Sequence, residues 1–204
     1  MQLALLSAIA FVCFATVACL AVYVSTRLPP RIDVAGTRLR GTATPLAAFF
    51  TLLGRWYTIG AIALACAAVA AGTGNSAVPI AALLISQTLS QGAVSAIKRI
   101  ICRTRPANWL LRLESDSSFP SGHATTAVVF FGGLITIAQT SHASPAVTGM
   151  ATVLLVLCAA GIPWSRLALG AHYVTDVVGG LVFGGGWLAL TLELFARYVP
   201  RSVW

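Results

Sequence analysis

The chain has 204 residues, of which 58% are hydrophobic and 9% charged, with a mean hydropathy of +0.88. Soluble domains usually carry about 25% charged residues, so this composition excludes an ordinary soluble domain and predicts an integral membrane protein. The formal net charge of +8 does not point to nucleic acid, because the basic residues lie beside apolar segments and not in a run on a soluble face.

A transmembrane helix needs roughly 20 apolar residues, and six segments qualify. They lie at about 3–24, 46–71, 78–97, 122–140, 146–164 and 172–195. The first, Leu3 to Val24, is uncharged. It lacks a basic leader and exceeds the roughly 7–15 apolar residues of a signal-peptide core, so a retained helix is expected. Pro29-Pro30 ends it, and the following loop carries Arg31, Arg38 and Arg40. The second segment is interrupted by Arg55, which is expected to snorkel toward headgroups. Gly72-Thr73-Gly74-Asn75 turns the chain into the third segment, which ends at Lys98. The turn Ser141 to Pro145 separates the fourth and fifth segments and holds His142, read as a solvated loop residue. The sixth is rich in glycine (Gly179-Gly180, Gly184-Gly185-Gly186), which suits close helix packing. Cys13, Cys19, Cys66 and Cys158 lie in apolar runs, where cysteine acts as a small hydrophobe. With Cys102 they form no metal-binding spacing, and disulfides are not expected. Trp56, Trp109, Trp164, Trp187 and Trp204 are candidate interface anchors, with Trp187 internal to its helix.

The expectation is a single all-α membrane domain over 1–204, a bundle of six transmembrane helices with its core at about 46–195. Parity then orders the polar residues. With six crossings, the ends of odd helices and the starts of even ones share one face of the membrane. Lys98, His123, Arg166 and the pair His172 and Asp176 all fall on that face, which points to one site.

Three short pieces supply the chemistry. Lys98 and Arg105-Pro106 offer cations for the equatorial oxygens of a phosphoryl group in flight, and Arg103 between them is a further candidate. In Pro120-Ser121-Gly122-His123, Ser121 suits a helix cap and Gly122 permits close backbone approach to an anion. The free N–H groups of a helix start favour negative charge, and His123 can protonate a leaving oxygen. In Ser165 to Asp176, His172 and Asp176 are spaced i, i+4 and share a face. A carboxylate beside an imidazole fixes its tautomer and supports it as a nucleophile. Arg166 lies one short loop away and can join the phosphate clamp. With Asp176 as the one carboxylate expected there, the site offers no acidic ligand set for Mg²⁺.

These pieces together resemble the signature of the type 2 phosphatidic acid phosphatase (PAP2) family. Lys-x6-Arg-Pro matches Lys98 through Pro106, Pro-Ser-Gly-His matches Pro120 through His123, and Ser-Arg-x5-His-x3-Asp matches Ser165 through Asp176. The resemblance implies a membrane lipid phosphatase with a fold shared, more distantly, with vanadium haloperoxidases. It implies that His172 attacks phosphorus to form a phosphohistidine, that Asp176 supports it and that His123 protonates the leaving group. Lys98, Arg105, Ser121, Gly122 and Arg166 would hold the phosphate, without metal or cofactor. Substrates implied are a polyprenyl diphosphate such as undecaprenyl diphosphate, phosphatidic acid or phosphatidylglycerophosphate. A phosphotransferase using the same intermediate, or a non-catalytic lipid-binding or transport protein, is the alternative reading.

Orientation draws two opposed expectations. The resemblance puts the site on the extracytoplasmic face of a bacterial inner membrane. Yet eleven of the 13 basic residues (Arg27, Arg31, Arg38, Arg40, Arg55, Lys98, Arg99, Arg103, Arg105, Arg112 and Arg166) fall on the motif side, and only Arg197 and Arg201 on the other. The positive-inside rule assigns such a face to the cytoplasm.

Overall fold

The computed structural model describes residues 2–25, 29–107, 109–111, 114–141 and 143–199. His142 and Trp204 lie outside the described residues. Among those described, all regular structure is helical. Helices α1 (Gln2–Ser25), α2 (Arg31–Gly36), α3 (Thr44–Leu53), α4 (Trp56–Gly72) and α5 (Val78–Ile101) are followed by the long segment 102–121. Then come α6 (Gly122–Thr140), α7 (Pro145–Ala168) and α8 (Val174–Tyr198). Residues 127–131 of α6 form a π-helical stretch.

Five of these helices are long and apolar enough to cross a membrane, and α3 with α4 makes a sixth if the bent pair is one span. The protein is an integral membrane protein, and its outer wall agrees. Phe11, Leu64, Val69, Ile85 and Leu157 are exposed, a placement that costs nothing in lipid.

The central helix is α6. Ala127, Val129, Phe130 and Phe131 are buried there against α5, α7 and α8. A core of Ile59, Ile80, Leu83, Phe130, Leu134 and Ile162 joins α4, α5, α6 and α7. A second core of Val17, Val24, Val94, Phe119 and Phe183 seats α1 against α5 and α8. The glycines of α8 let it lie almost in contact with its neighbours. A Cβ at Gly180 would stand 2.4 Å from the Ser121 carbonyl oxygen, and one at Gly186 2.8 Å from Cys13 Cβ. Trp187 is internal, and its indole N–H donates to the backbone oxygen of Ser86 at 3.1 Å.

Two expected elements differ. The single helix at 46–71 is instead broken at Gly54-Arg55, with a bend of 61° between α3 and α4. Tertiary contacts pull α3 onto α7: Phe50 fills the space beside Gly161, Ala47 packs on Ala168 and Leu169, and Arg166 donates to Thr51 Oγ1 at 2.5 Å. Arg55 becomes the extended N-cap of α4. The last helix begins at Val174, not at 172. Tyr173 caps it and the Asp176 carboxylate accepts the Tyr173 backbone N–H at 2.9 Å, so His172 sits in the turn before the helix.

Candidate active site

The three sequence pieces converge at one end of the bundle. Ser121, fully buried, caps α6 by accepting the Ala124 N–H at 3.5 Å, and its own N–H donates to the Asp176 carbonyl at 3.0 Å. That bond ties the start of α6 to the first turn of α8 and sets His123 facing His172 across the mouth. The Arg105 guanidinium donates to His172 Nε2 at 3.1 Å and to the Ala171 carbonyl at 3.0 Å. An arginine can only donate, so Nε2 carries the lone pair and the ring proton is assigned to Nδ1. Nδ1 faces Asp176 at 3.6 Å, too long for a hydrogen bond. The pair is therefore adjacent but not bonded. Burial, and then the positive charges of Arg166, Arg105 and Lys98, hold the His172 pKa well below the usual imidazole value, so the ring is neutral and its Nε2 lone pair accepts from Arg105.

The Asp176 carboxylate is held by the Tyr173 N–H and by Arg103. Arg103 is not a phosphate ligand here. Its guanidinium lies between Asp33 and Asp176, donates to Thr175 Oγ1 at 2.7 Å and stacks 4.5 Å over the Tyr173 ring. Asp33, on α2, is buried and accepts both the N–H and the hydroxyl of Thr175, each at 2.8 Å. A buried arginine between two carboxylates is an ion-pair network whose loss leaves a charge uncompensated, at about 3–5 kcal/mol.

The expected single carboxylate is corrected by this structure: four of the chain's five acidic residues gather here. Glu114 and Asp116, on the 102–121 segment, point into the cationic cluster. Glu114 pairs with Arg166 at 2.6 Å and Arg105 at 3.2 Å, and lies 3.9 Å from His123 Nδ1. Asp116 pairs with Lys98 and Arg105, each at 2.6 Å. Burial acts to raise the Asp116 pKa, but the hydrogen bonds and charges of Lys98 and Arg105 outweigh it and hold the carboxyl below its usual value. Three cations thus converge on two carboxylates, the geometry they would present to a phosphate.

Sequence reasoning placed Lys98, Arg105, Ser121, Gly122, His123, Arg166, His172 and Asp176, and the structure brings all eight together. It missed Asp33, Thr51, Gly54, Glu114 and Asp116. A signal existed: with only five acids in the chain, each is unusual.

The cluster opens into a cavity of about 610 Å³. Gly54, Arg55, Trp56 and Ile59 of the bend line one wall and Leu84, Gln87, Thr88 and Gln91 of α5 the other, with His123 and His172 at the head. Gly54 packs directly on His123. A Cβ there would stand 2.5 Å from His123 Cδ2, and the residue's φ of −83° is open to any side chain. Gly54→Ala therefore acts on the histidine and not on the backbone. Turnover is expected to fall about ten-fold, since displacing a reacting group by about 1 Å can cost up to about 100-fold. Steady-state rates with the fold verified by thermal unfolding check this; unchanged turnover would separate His123 from the rate.

Comparison with known proteins adds a context. The model of the PAP2 superfamily matches residues 79–200. A lipid A 1-phosphatase of Rhizobium etli is 30% identical over 129 residues, 58% of this chain and 51% of that protein. A decaprenylphosphoryl-5-phosphoribose phosphatase of Mycolicibacterium smegmatis is 35% identical over 96 residues, 45% of this chain and 47% of that protein. The chain spans about half the length of the curated relatives it matches. The crystal structure of a transmembrane PAP2 type phosphatidylglycerolphosphate phosphatase from Bacillus subtilis superposes with a TM-score of 0.78. It covers 94% of this chain and 98% of that one at 21% identity, a likeness of fold.

Proposed function

The chain belongs to the PAP2 superfamily, and from that premise we propose that it is a membrane lipid phosphatase. It hydrolyses a phosphate monoester or diphosphate of a lipid through a phosphohistidine. The observation that carries this reading is the neutral His172, its Nε2 lone pair directed into a cluster of three cations that opens onto a cavity between two membrane helices.

In the proposed cycle the phosphate displaces Glu114 and Asp116 and takes their place on Lys98, Arg105 and Arg166. Gly122 and the N-terminus of α6 lie against it. Arg105 turns from His172 Nε2 to the phosphate oxygens, His172 Nε2 attacks phosphorus, and the P–O bond to the lipid breaks. The leaving oxygen takes its proton from His123, which the negative charge of the bound phosphate brings into its protonated form. Water then attacks phosphorus and gives a proton back to His123, the P–N bond breaks, and phosphate leaves with His172 neutral again. Asp176, 3.6 Å from Nδ1, stabilises the positive charge that develops on the ring as phosphorus is attacked, and no step draws on a metal.

The tail would lie in the cavity between α4 and α5, which favours substrates whose headgroup sits at the interface: polyprenyl diphosphate, phosphatidic acid, phosphatidylglycerophosphate or a lipid of the kind named for the relatives. The same reading puts the site on the extracytoplasmic face of a bacterial inner membrane. Of the eleven basic residues on that side, Lys98, Arg103, Arg105 and Arg166 are engaged in ion pairs inside the site; the other seven still outnumber the two on the opposite face, so the charge bias opposes this orientation.

The reading is tested by phosphate release from detergent-purified protein, with EDTA present, across those lipids. Metal-independent release supports it. Release that needs an acceptor alcohol would instead mark a phosphotransferase, and no release by folded protein would mark a binding protein.

The carboxylates in the phosphate position carry their own expectation. Asp116 is half-exposed, with its side chain 52% accessible, so its pairs are worth little. Asp116→Asn should tighten inhibition by vanadate or inorganic phosphate by about two- to five-fold, the range of an exposed pair. Weaker inhibition would show that Asp116 helps to build the anion site and does not compete for it.

A further inference from the structure

Below His123, the cavity wall carries a polar ladder that the proposed chemistry does not use. Gln91 donates through Nε2 to the Gly122 carbonyl at 3.3 Å and to Thr126 Oγ1 at 3.2 Å. One turn deeper on α5, Gln87 donates through Nε2 to the same Thr126 hydroxyl at 2.7 Å. Gln87 is only 6% exposed, and its Oε1 is buried with no hydrogen-bond partner among the described residues. All three residues line the cavity.

A tie that served only to join α5 and α6 would satisfy both ends of the amide. This one does not. Turning the amide over changes nothing in kind: one polar end meets Thr126 and the other stays unmet. Buried polar groups are nearly always paired, and Gln87 lines the cavity, where a substrate can supply the partner that the described residues do not. A hydroxyl, both donor and acceptor, complements the free end in either setting. The ladder starts at the residue before His123 and descends toward the bilayer interior. A group meeting it belongs to the substrate between its phosphoryl group and its apolar tails.

We propose that Gln87, with Thr126 and Gln91, forms a specificity subsite for a hydroxyl carried by the lipid between its phosphate and its tails. The substrate is then a polyol or sugar lipid phosphate, and not the phosphate of a plain hydrocarbon alcohol such as a polyprenol. This rests on the phosphatase reading above.

The test compares two lipids that differ by one oxygen: phosphatidylglycerophosphate, and its analogue with 1,3-propanediol in place of the headgroup glycerol. Each is assayed with the wild-type protein and with Gln87→Met, which keeps length and volume but removes the amide. The wild type should favour the hydroxylated lipid by about ten-fold in kcat/KM, the scale of one buried hydrogen bond. Gln87→Met should lose that preference through a larger loss of rate on the hydroxylated lipid than on the deoxy analogue, with thermal unfolding reporting an intact fold. If that variant does not fold, Gln91→Met should show the same selective loss in smaller degree. Equal handling of the two lipids by the wild type, or an equal loss on both in the variants, overturns the subsite and leaves the phosphatase reading standing. Release from neither lipid, while polyprenyl diphosphate or phosphatidic acid is hydrolysed, also overturns the subsite; release from none of the four by folded wild-type protein overturns the phosphatase reading itself.

Discussion

His172→Ala is expected to remove turnover, by at least about 1,000-fold, while the protein stays folded and still binds phosphate. Removing the nucleophile of a two-step mechanism typically costs more than any other single change. The fold should tolerate it because the ring is neutral. Burial and the nearby arginines hold its pKa well below the ordinary value, so no unpaired charge is left behind when it goes. Its hydrogen bond from Arg105 is replaceable, since the same Nη1 also donates to the Ala171 carbonyl. The cations Lys98, Arg105 and Arg166 remain, so vanadate or phosphate should still protect the variant against thermal unfolding. Turnover close to wild type would sink the phosphohistidine.

His123→Ala should show a different pattern. Loss of a general acid costs about 100- to 10,000-fold when the leaving group is a poor one, such as an alkyl alkoxide. It should cost far less with a nitrophenyl phosphate, whose leaving oxygen departs without a proton. The structure agrees with a proton delivered from this side: His123 Nε2 is buried at the head of the cavity with no partner among the described residues. A plot of rate against leaving-group pKa, steep in the variant and shallow in the wild type, is the expected readout. An equal loss across the series would make His123 a binding residue.

Much of the site was legible because its residues violate their surroundings. Lys98, Arg166 and Asp176 stand out in an apolar chain, and their placement at helix ends made parity enough to bring them together. Ser121 could be read as a cap from local chemistry alone. What was not legible depends on contacts across the chain. The break at Gly54-Arg55 lies in a segment whose composition is apolar on both sides. Nothing local distinguishes a bent span from a straight one, and the bend is fixed by Phe50 against Gly161 and Thr51 against Arg166, more than 100 positions away. Glu114 and Asp116 stand out in the sequence only as rare acids, and their partners show once the fold sets them against Arg166, Arg105 and Lys98. Arg103 looked like one more phosphate ligand because its distance in sequence from Lys98 and Arg105 is short. Its partners, Asp33 and Asp176, are about 70 residues away on either side.

The Asp33 contacts bear on where a working unit can be cut. The family match runs over residues 79–200, yet Asp33 holds Thr175 and Arg103 beside Asp176, Thr51 holds Arg166, and Gly54 backs His123. A chimera that carried residues 79–200 onto different leading helices would inherit the whole signature and still leave Arg103 short of one carboxylate and Arg166 short of one hydroxyl. Any engineered graft of this centre has to carry an acid at 33, a hydroxyl at 51 and a side-chain-free residue at 54 along with the motifs.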